Sequence, residues 1–141
     1  MSKEFTLIKT NKTFDVYETY DLLESPAIGS LKNVADHDII CVGNWCIYET
    51  TDQSGNTITC VSIQDTTTGE VFSGQSKTFR ETFEAIISRI HSMETTPSEF
   101  YITVLHRTSK SGRDYIICAL VSPDNALKRL GYIVDKPENI Q

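Results

Sequence analysis

Apolar positions recur at helical spacing most clearly between Thr78 and Met93. Phe79, Phe83, Ile86, Ile87 and Ile90 make one stripe at a 3.6-residue period, with Arg80, Glu84 and Arg89 on the opposite side. Thr78 with Glu81 three residues on reads as a capping box, in which hydroxyl and carboxylate satisfy two orphaned backbone N–H groups. Thr95, Thr96 and Pro97 predict the stop, because proline lacks a donor and clashes with the preceding turn. The stripe predicts a core helix that plugs one end of a barrel.

Strand-like runs lie on either side of it. Asp38 to Thr50 is long and rich in Ile, Val, Cys, Trp and Tyr, and Gly43-Asn44 in its middle predicts a bulge or sharp coil. A Ser-Gly-Asn turn within Asp52 to Asn56 leads to Thr57–Gln64. Thr68-Gly69 then turns the chain into a short third strand, Glu70 to Ser73. After the helix, Phe100, Ile102 and Val104 alternate with Tyr101, Thr103 and Leu105 in Glu99 to Arg107. The turn cluster Thr108 to Gly112 precedes Arg113 to Val121. The order β-β-β-α-β-β over residues 38–121 is that of a five-stranded OB-fold barrel, and the class is mainly β.

The flanks are less periodic. Residues 1–37 hold Phe5, Leu7 and Ile8, a possible short strand, then Phe14, Val16, Tyr17, Tyr20, Leu22 and Leu23 among acids, before Pro26 and Gly29 break the chain. Such a segment is an N-terminal extension that packs on its own barrel or an arm that docks on a neighbouring subunit. Ser122-Pro123-Asp124 opens a short C-terminal helix through Leu130, stopped at Gly131, and the remaining residues to Gln141 read as a tail.

Composition narrows the function classes. A chain of 141 residues has room for one domain with a real core. No apolar run approaches the ~20 residues of a membrane span and the N-terminus does not read as a signal peptide, so the expected location is cytoplasmic. Cys41, Cys46, Cys60 and Cys118 sit inside strand-like runs without C-x-x-C spacing, which predicts buried free thiols rather than a metal site or disulfide scaffold. The net charge of −6 argues against coating duplex DNA by bulk electrostatics. The charge is uneven: residues 38–76 carry five acids and no Lys or Arg, whereas residues 77–113 carry six Lys or Arg against four acids.

Phosphate-binding loops, dinucleotide fingerprints, nucleophile elbows and H-E-x-x-H are all lacking, and the carboxylates fall in turns and on the helix exterior, so no catalytic residue is assigned. Aromatic and basic residues interleaved on strands are the better signal, since rings stack on bases and cations follow phosphates. Arg107, Lys110 and Arg113 fall within seven residues on the last hairpin. Trp45, Tyr48, Phe72, Tyr101 and Tyr115 are the candidate stackers. If Phe100, Ile102 and Val104 are core, Tyr101 points outward with Thr103. If Ile116, Cys118 and Leu120 are core, Tyr115 points outward with Ile117. The phase of Trp45 and Tyr48 is left open by the bulge.

The run TGEVFSGQSKTFRETFEAIISRI followed by YITVLHRTSKSGRDYIICALV resembles the OB-fold single-stranded-DNA-binding proteins of bacteriophages and conjugative plasmids, over roughly residues 38–121. The resemblance implies coating and protection of single-stranded DNA in replication or transfer, without catalysis or cofactor, by a homo-oligomer. It implies a groove formed by the barrel face and the hairpin around Arg107, Lys110 and Arg113, with Lys77 at the start of the helix beside it. Cellular members carry an acidic, phenylalanine-terminated tail. Here the sequence closes on Pro137, Glu138, Asn139, Ile140 and Gln141, which makes the N-terminal arm the expected contact with other subunits. Two other readings fit the residues: a protein-interaction module such as a replisome adaptor or inhibitor, favoured by the acidic stretch 38–76, and a small metal-dependent hydrolase or nuclease.

Overall fold

The structure, a computed structural model, describes residues 4–93 and 99–129. Within them the chain forms β1 (Thr6–Thr10), α1 (Val16–Leu23), β2 (Gly29–Ser30), a 3-10 turn (Leu31–Asn33), β3 (Ile39–Thr51), β4 (Thr57–Asp65) and β5 (Val71–Gly74). There follow α2 (Lys77–His91), β6 (Phe100–Thr108), β7 (Asp114–Val121) and α3 (Pro123–Arg129). The fold is mainly β, a single curled mixed sheet that makes half a barrel. It holds seven strands rather than the expected five, because residues before 37 contribute β1 and β2.

β3 sets the curl. It pairs with β4 along nearly its whole length, yet its other edge changes partner: Ile39–Val42 pairs with β6, and Cys46–Glu49 pairs with β1. The register with β4 slips between Val42 and Trp45, the bulge that Gly43-Asn44 predicts. A Cβ at Gly43 would run into the Thr66 methyl, so the sharp bend needs glycine there. The strand order is β2-β5-β4-β3-β6-β7, antiparallel except for the short β2–β5 pair.

The inner face holds the main core. Trp45, Ile47, Val61, Ile63, Ile102, Val104, Ile116 and Cys118 pack against Phe79, Phe83 and Ile87 of α2. The Trp45 ring meets Phe83 edge-on at 5.4 Å, and Phe83 stacks on Phe79 at 6.2 Å. The helical stripe is therefore the core face it was expected to be. Its cap is different. Ser76, not Thr78, is the N-cap and accepts from the Phe79 N–H at 3.2 Å, while the Thr78 hydroxyl donates to the Ile116 carbonyl at 2.8 Å. Thr82 Oγ1 accepts from the Cys118 N–H at 3.0 Å, so helix hydroxyls satisfy polar groups along the edge of β7. α2 ends at His91 on a Ser92 cap, and the expected stop at Thr95, Thr96 and Pro97 lies outside the described residues, as do Leu130 and Gly131.

The N-terminal segment packs on its own sheet. Cys46, Tyr48, Cys60 and Val71 on the outer face of β3, β4 and β5 cluster with Leu22 and Leu23 of α1, flanked by Phe5, Phe14 and Ile28. Ser62 Oγ, fully buried, donates to the Leu22 carbonyl at 2.6 Å. A complete capping box, Asp15 with Glu18, starts α1. Glu18 also takes Lys12 at 2.6 Å and the Asn44 amide at 3.3 Å, contacts that hold its carboxyl below the usual range, Lys12 foremost. At the other end of the sheet α3 buries Ala126 against Ile39 and Val121.

Candidate nucleic-acid interface

Two strands and a tight turn position the basic hairpin. In the turn, Ser109 N–H donates to the Arg113 carbonyl and Gly112 N–H to the Ser109 carbonyl, both at 2.9 Å. Gly112 lies at φ +87°, a left-handed conformation that glycine adopts without penalty. Arg113 N–H donates to Ser109 Oγ at 3.1 Å, and Thr108 Oγ1 to Asp114 Oδ1 at 2.9 Å. The tip is thus tied down by its own side chains, and Arg107, Lys110 and Arg113 project from a defined frame into solvent.

Among the described residues, these cations have no ion-pair partner at contact distance. Ion pairs among the described residues involve Lys9, Lys12, His37 and Arg80, none of them on the hairpin. Arg107 Nη1 donates to the carbonyl of its neighbour His106 at 3.1 Å. The Asp36 carboxyl senses its field. That carboxyl is held below the usual range chiefly by the His106 backbone N–H at 2.9 Å, and then by the fields of His37, His106 and Arg107 against some desolvation.

Two lysines from distant parts of the sequence flank this end. Lys32, on the 3-10 turn, lines a cavity of about 270 Å³ with His106, Asp114, Tyr115 and Ile116. The His106 ring is anchored there, Nε2 lying 2.6 Å from the Val34 carbonyl. Lys77 is the first residue of α2, whose Ser76 and Thr78 hydroxyls both reach the Ile116 carbonyl, so it stands next to the same strand. Lys77 is among the sequence candidates. Lys32 is not, for it lies in an aperiodic stretch where nothing local indicates that it meets residues 106–116.

The aromatic candidates separate into groups. Cross-strand pairing puts Arg107 opposite Tyr115 and Leu105 opposite Ile117 on the outer face, the side the alternation predicts for Tyr115, whose ring is half-buried there. Tyr101 shares that face at its far end but packs with Ile39, Val121 and Ala126, and its hydroxyl is raised above the usual range by desolvation, with Cys41 adding to it. Trp45, 4% exposed, is core, and so is Tyr48, 6% exposed. Burial pushes the Tyr48 phenol up to about 12, and its oxygen lies 2.8 Å from Ser73 Oγ. Neither ring offers a free face for stacking in this fold. Phe72 pairs with Ile63 on the inner side and is half-buried against the main core. Leu120, expected in the core, is half-exposed, and Val121 is buried beneath α3.

The fold therefore brings together Arg107, Lys110, Arg113, Tyr115, Lys77 and Lys32, and sets Trp45, Tyr48, Phe72 and Tyr101 apart. This arrangement can hold a chain of phosphates along solvent-facing cations, with one ring beside them. Among the described residues, no group of three or more His, Cys, Asp or Glu is placed to hold a metal, and all four cysteines are buried and outside any disulfide. No described helix is long and apolar enough to cross a membrane. No protein-family model, curated protein or solved structure matches this chain.

Proposed function

We propose that the protein binds single-stranded DNA without strong sequence preference, through the basic end of an OB-fold-like half-barrel. The reading is carried by one observation: in a chain of net charge −6, Lys32, Lys77, Arg107, Lys110 and Arg113 gather around one hairpin with no described ion-pair partner. Five cations against the carboxylates of Asp36 and Asp114 leave a positive local field for an anionic polymer, whatever the net charge of the chain. The order of β5, β4, β3, β6 and β7, with α2 between β5 and β6, supports the OB-fold assignment, in which the β6–β7 turn is the loop overhanging the ligand.

The route differs from the usual one for that fold. An OB-fold binds on the outer face of its second and third strands, here β4 and β5, and α1 lies on that face. The strand contact is accordingly placed on the hairpin, along Arg107–Tyr115, rather than on Tyr48. Two of the five acids of residues 38–76 are engaged internally: Asp65 is buried and caps the Thr67 N–H, and Asp52 caps its own turn.

The test is a fluorescence-anisotropy titration of a labelled oligonucleotide, single-stranded and duplex, across salt concentrations. Tight single-strand and weak duplex binding is expected. Alanine at Arg107, Lys110 and Arg113 together is expected to lower the log–log salt slope by ~0.7 for each phosphate that is no longer neutralised. An unchanged slope would remove the hairpin from the site.

A further inference from the structure

Apolar surface is left uncovered mainly in one place. Of the seven large hydrophobic residues exposed among those described, five lie between Leu7 and Tyr20, and the most exposed are Val16 at 72% and Tyr17 at 78%. Both belong to α1. The helix turns Leu22 and Leu23 inward, so Val16, Tyr17 and Tyr20 share the outward face with the exposed carboxylates of Asp21 and Glu24. No Lys or Arg occurs between Thr13 and Ser30. Asp21 also borders a cavity of about 320 Å³ beside the end of the helix, whose other walls include exposed Glu70, Ile28 and Val71.

We infer that this outward face of α1 is a docking surface for a basic, amphipathic segment of a protein partner. Charge decides the occupant. A nucleic-acid strand would bring phosphates against Asp21, Glu24 and Glu70, while the cations beside the helix, Lys9 and Lys12, are already paired with Glu84 and Glu18. A segment carrying Lys or Arg next to apolar side chains would set its cations toward those carboxylates and cover Tyr17 and Tyr20. Such aromatic side chains bury much area at a small entropy cost, which is why they dominate binding energy at interfaces. The helix is fixed by its Asp15–Glu18 capping box and by the buried Ser62–Leu22 hydrogen bond, so the face is preorganised.

The probe is a short fluorescein-labelled peptide of alternating leucine and lysine, titrated with the full chain and read by anisotropy, alongside the same peptide with glutamate for lysine. Binding of the lysine peptide alone is expected. Tyr17→Ser with Tyr20→Ser should weaken it at least ~10-fold, and Asp21→Asn with Glu24→Gln should remove most of its salt dependence. Leu120→Ser, at an exposed apolar residue on β7 remote from α1, should leave it unchanged, and circular dichroism of each variant verifies the fold. Equal binding by wild type and both α1 double variants would overturn the inference. So would a mass in solution that falls from oligomer to monomer in the tyrosine variant, which would make the occupant a second copy. Loss of oligonucleotide affinity in that variant would assign the face to nucleic acid and would equally overturn it.

Discussion

At Cys46 and Cys118, burial pushes the thiols up to about 12. The thiolate is the reactive form, so neither side chain reacts until the protein opens. With a thiol reagent near pH ~8, labelling of these two positions is expected to be slow in the native state and fast in denaturant. Rapid native labelling of either, resolved by mass spectrometry, would contradict the packing of α1 over Cys46 or of Thr82 against Cys118. Burial at this scale was legible from sequence for the cysteines and for Ile102, Val104, Ile116 and Cys118, which alternate on regular strands. It was not legible for Trp45 and Tyr48, because the bulge after Val42 shifts the phase of β3.

The beginning of α2 shows how an element can be found without its cap. The apolar stripe determined the helix, but Thr78-x-x-Glu81 satisfies the capping pattern as well as Ser76 does, and only the position of β7 decides between them. Thr78 is drawn to the Ile116 carbonyl, and Ser76 takes over the cap. Ser76→Ala is expected to cost about 1 kcal/mol in denaturant unfolding. Glu81→Ala, at an exposed residue that makes no cap, should stay within about 0.5 kcal/mol. A Glu81→Ala loss as large as that of Ser76→Ala would restore the box. α1 carries a true capping box, Asp15 with Glu18, yet its eight residues are too few for a periodic signal to stand out.

For the whole molecule, the N-terminal segment is part of the half-barrel rather than a free arm. β1 extends the sheet along β3, and α1 roofs the outer face over Cys46, Tyr48, Cys60 and buried Ser62. Deleting residues 1–24 would bare this surface, including the hydroxyl that donates to the Leu22 carbonyl. The truncated chain is expected to melt at least several degrees lower and to bind a hydrophobic dye, whereas a dispensable arm would leave its thermal midpoint unchanged. Sequence alone determined the mainly β class, the bulge at Gly43, the helix between the third and fourth strands of the expected barrel, the inward positions Ile102, Val104, Ile116 and Cys118, and a hairpin rich in cations. These depend on local periodicity and on turn residues whose backbone preferences are intrinsic. Tertiary structure decided the rest: the two added strands, the roof formed by α1, the arrival of Lys32 beside His106, and the burial of Trp45 and Tyr48. Each of these is set by contacts between residues far apart in the chain, which no local pattern encodes.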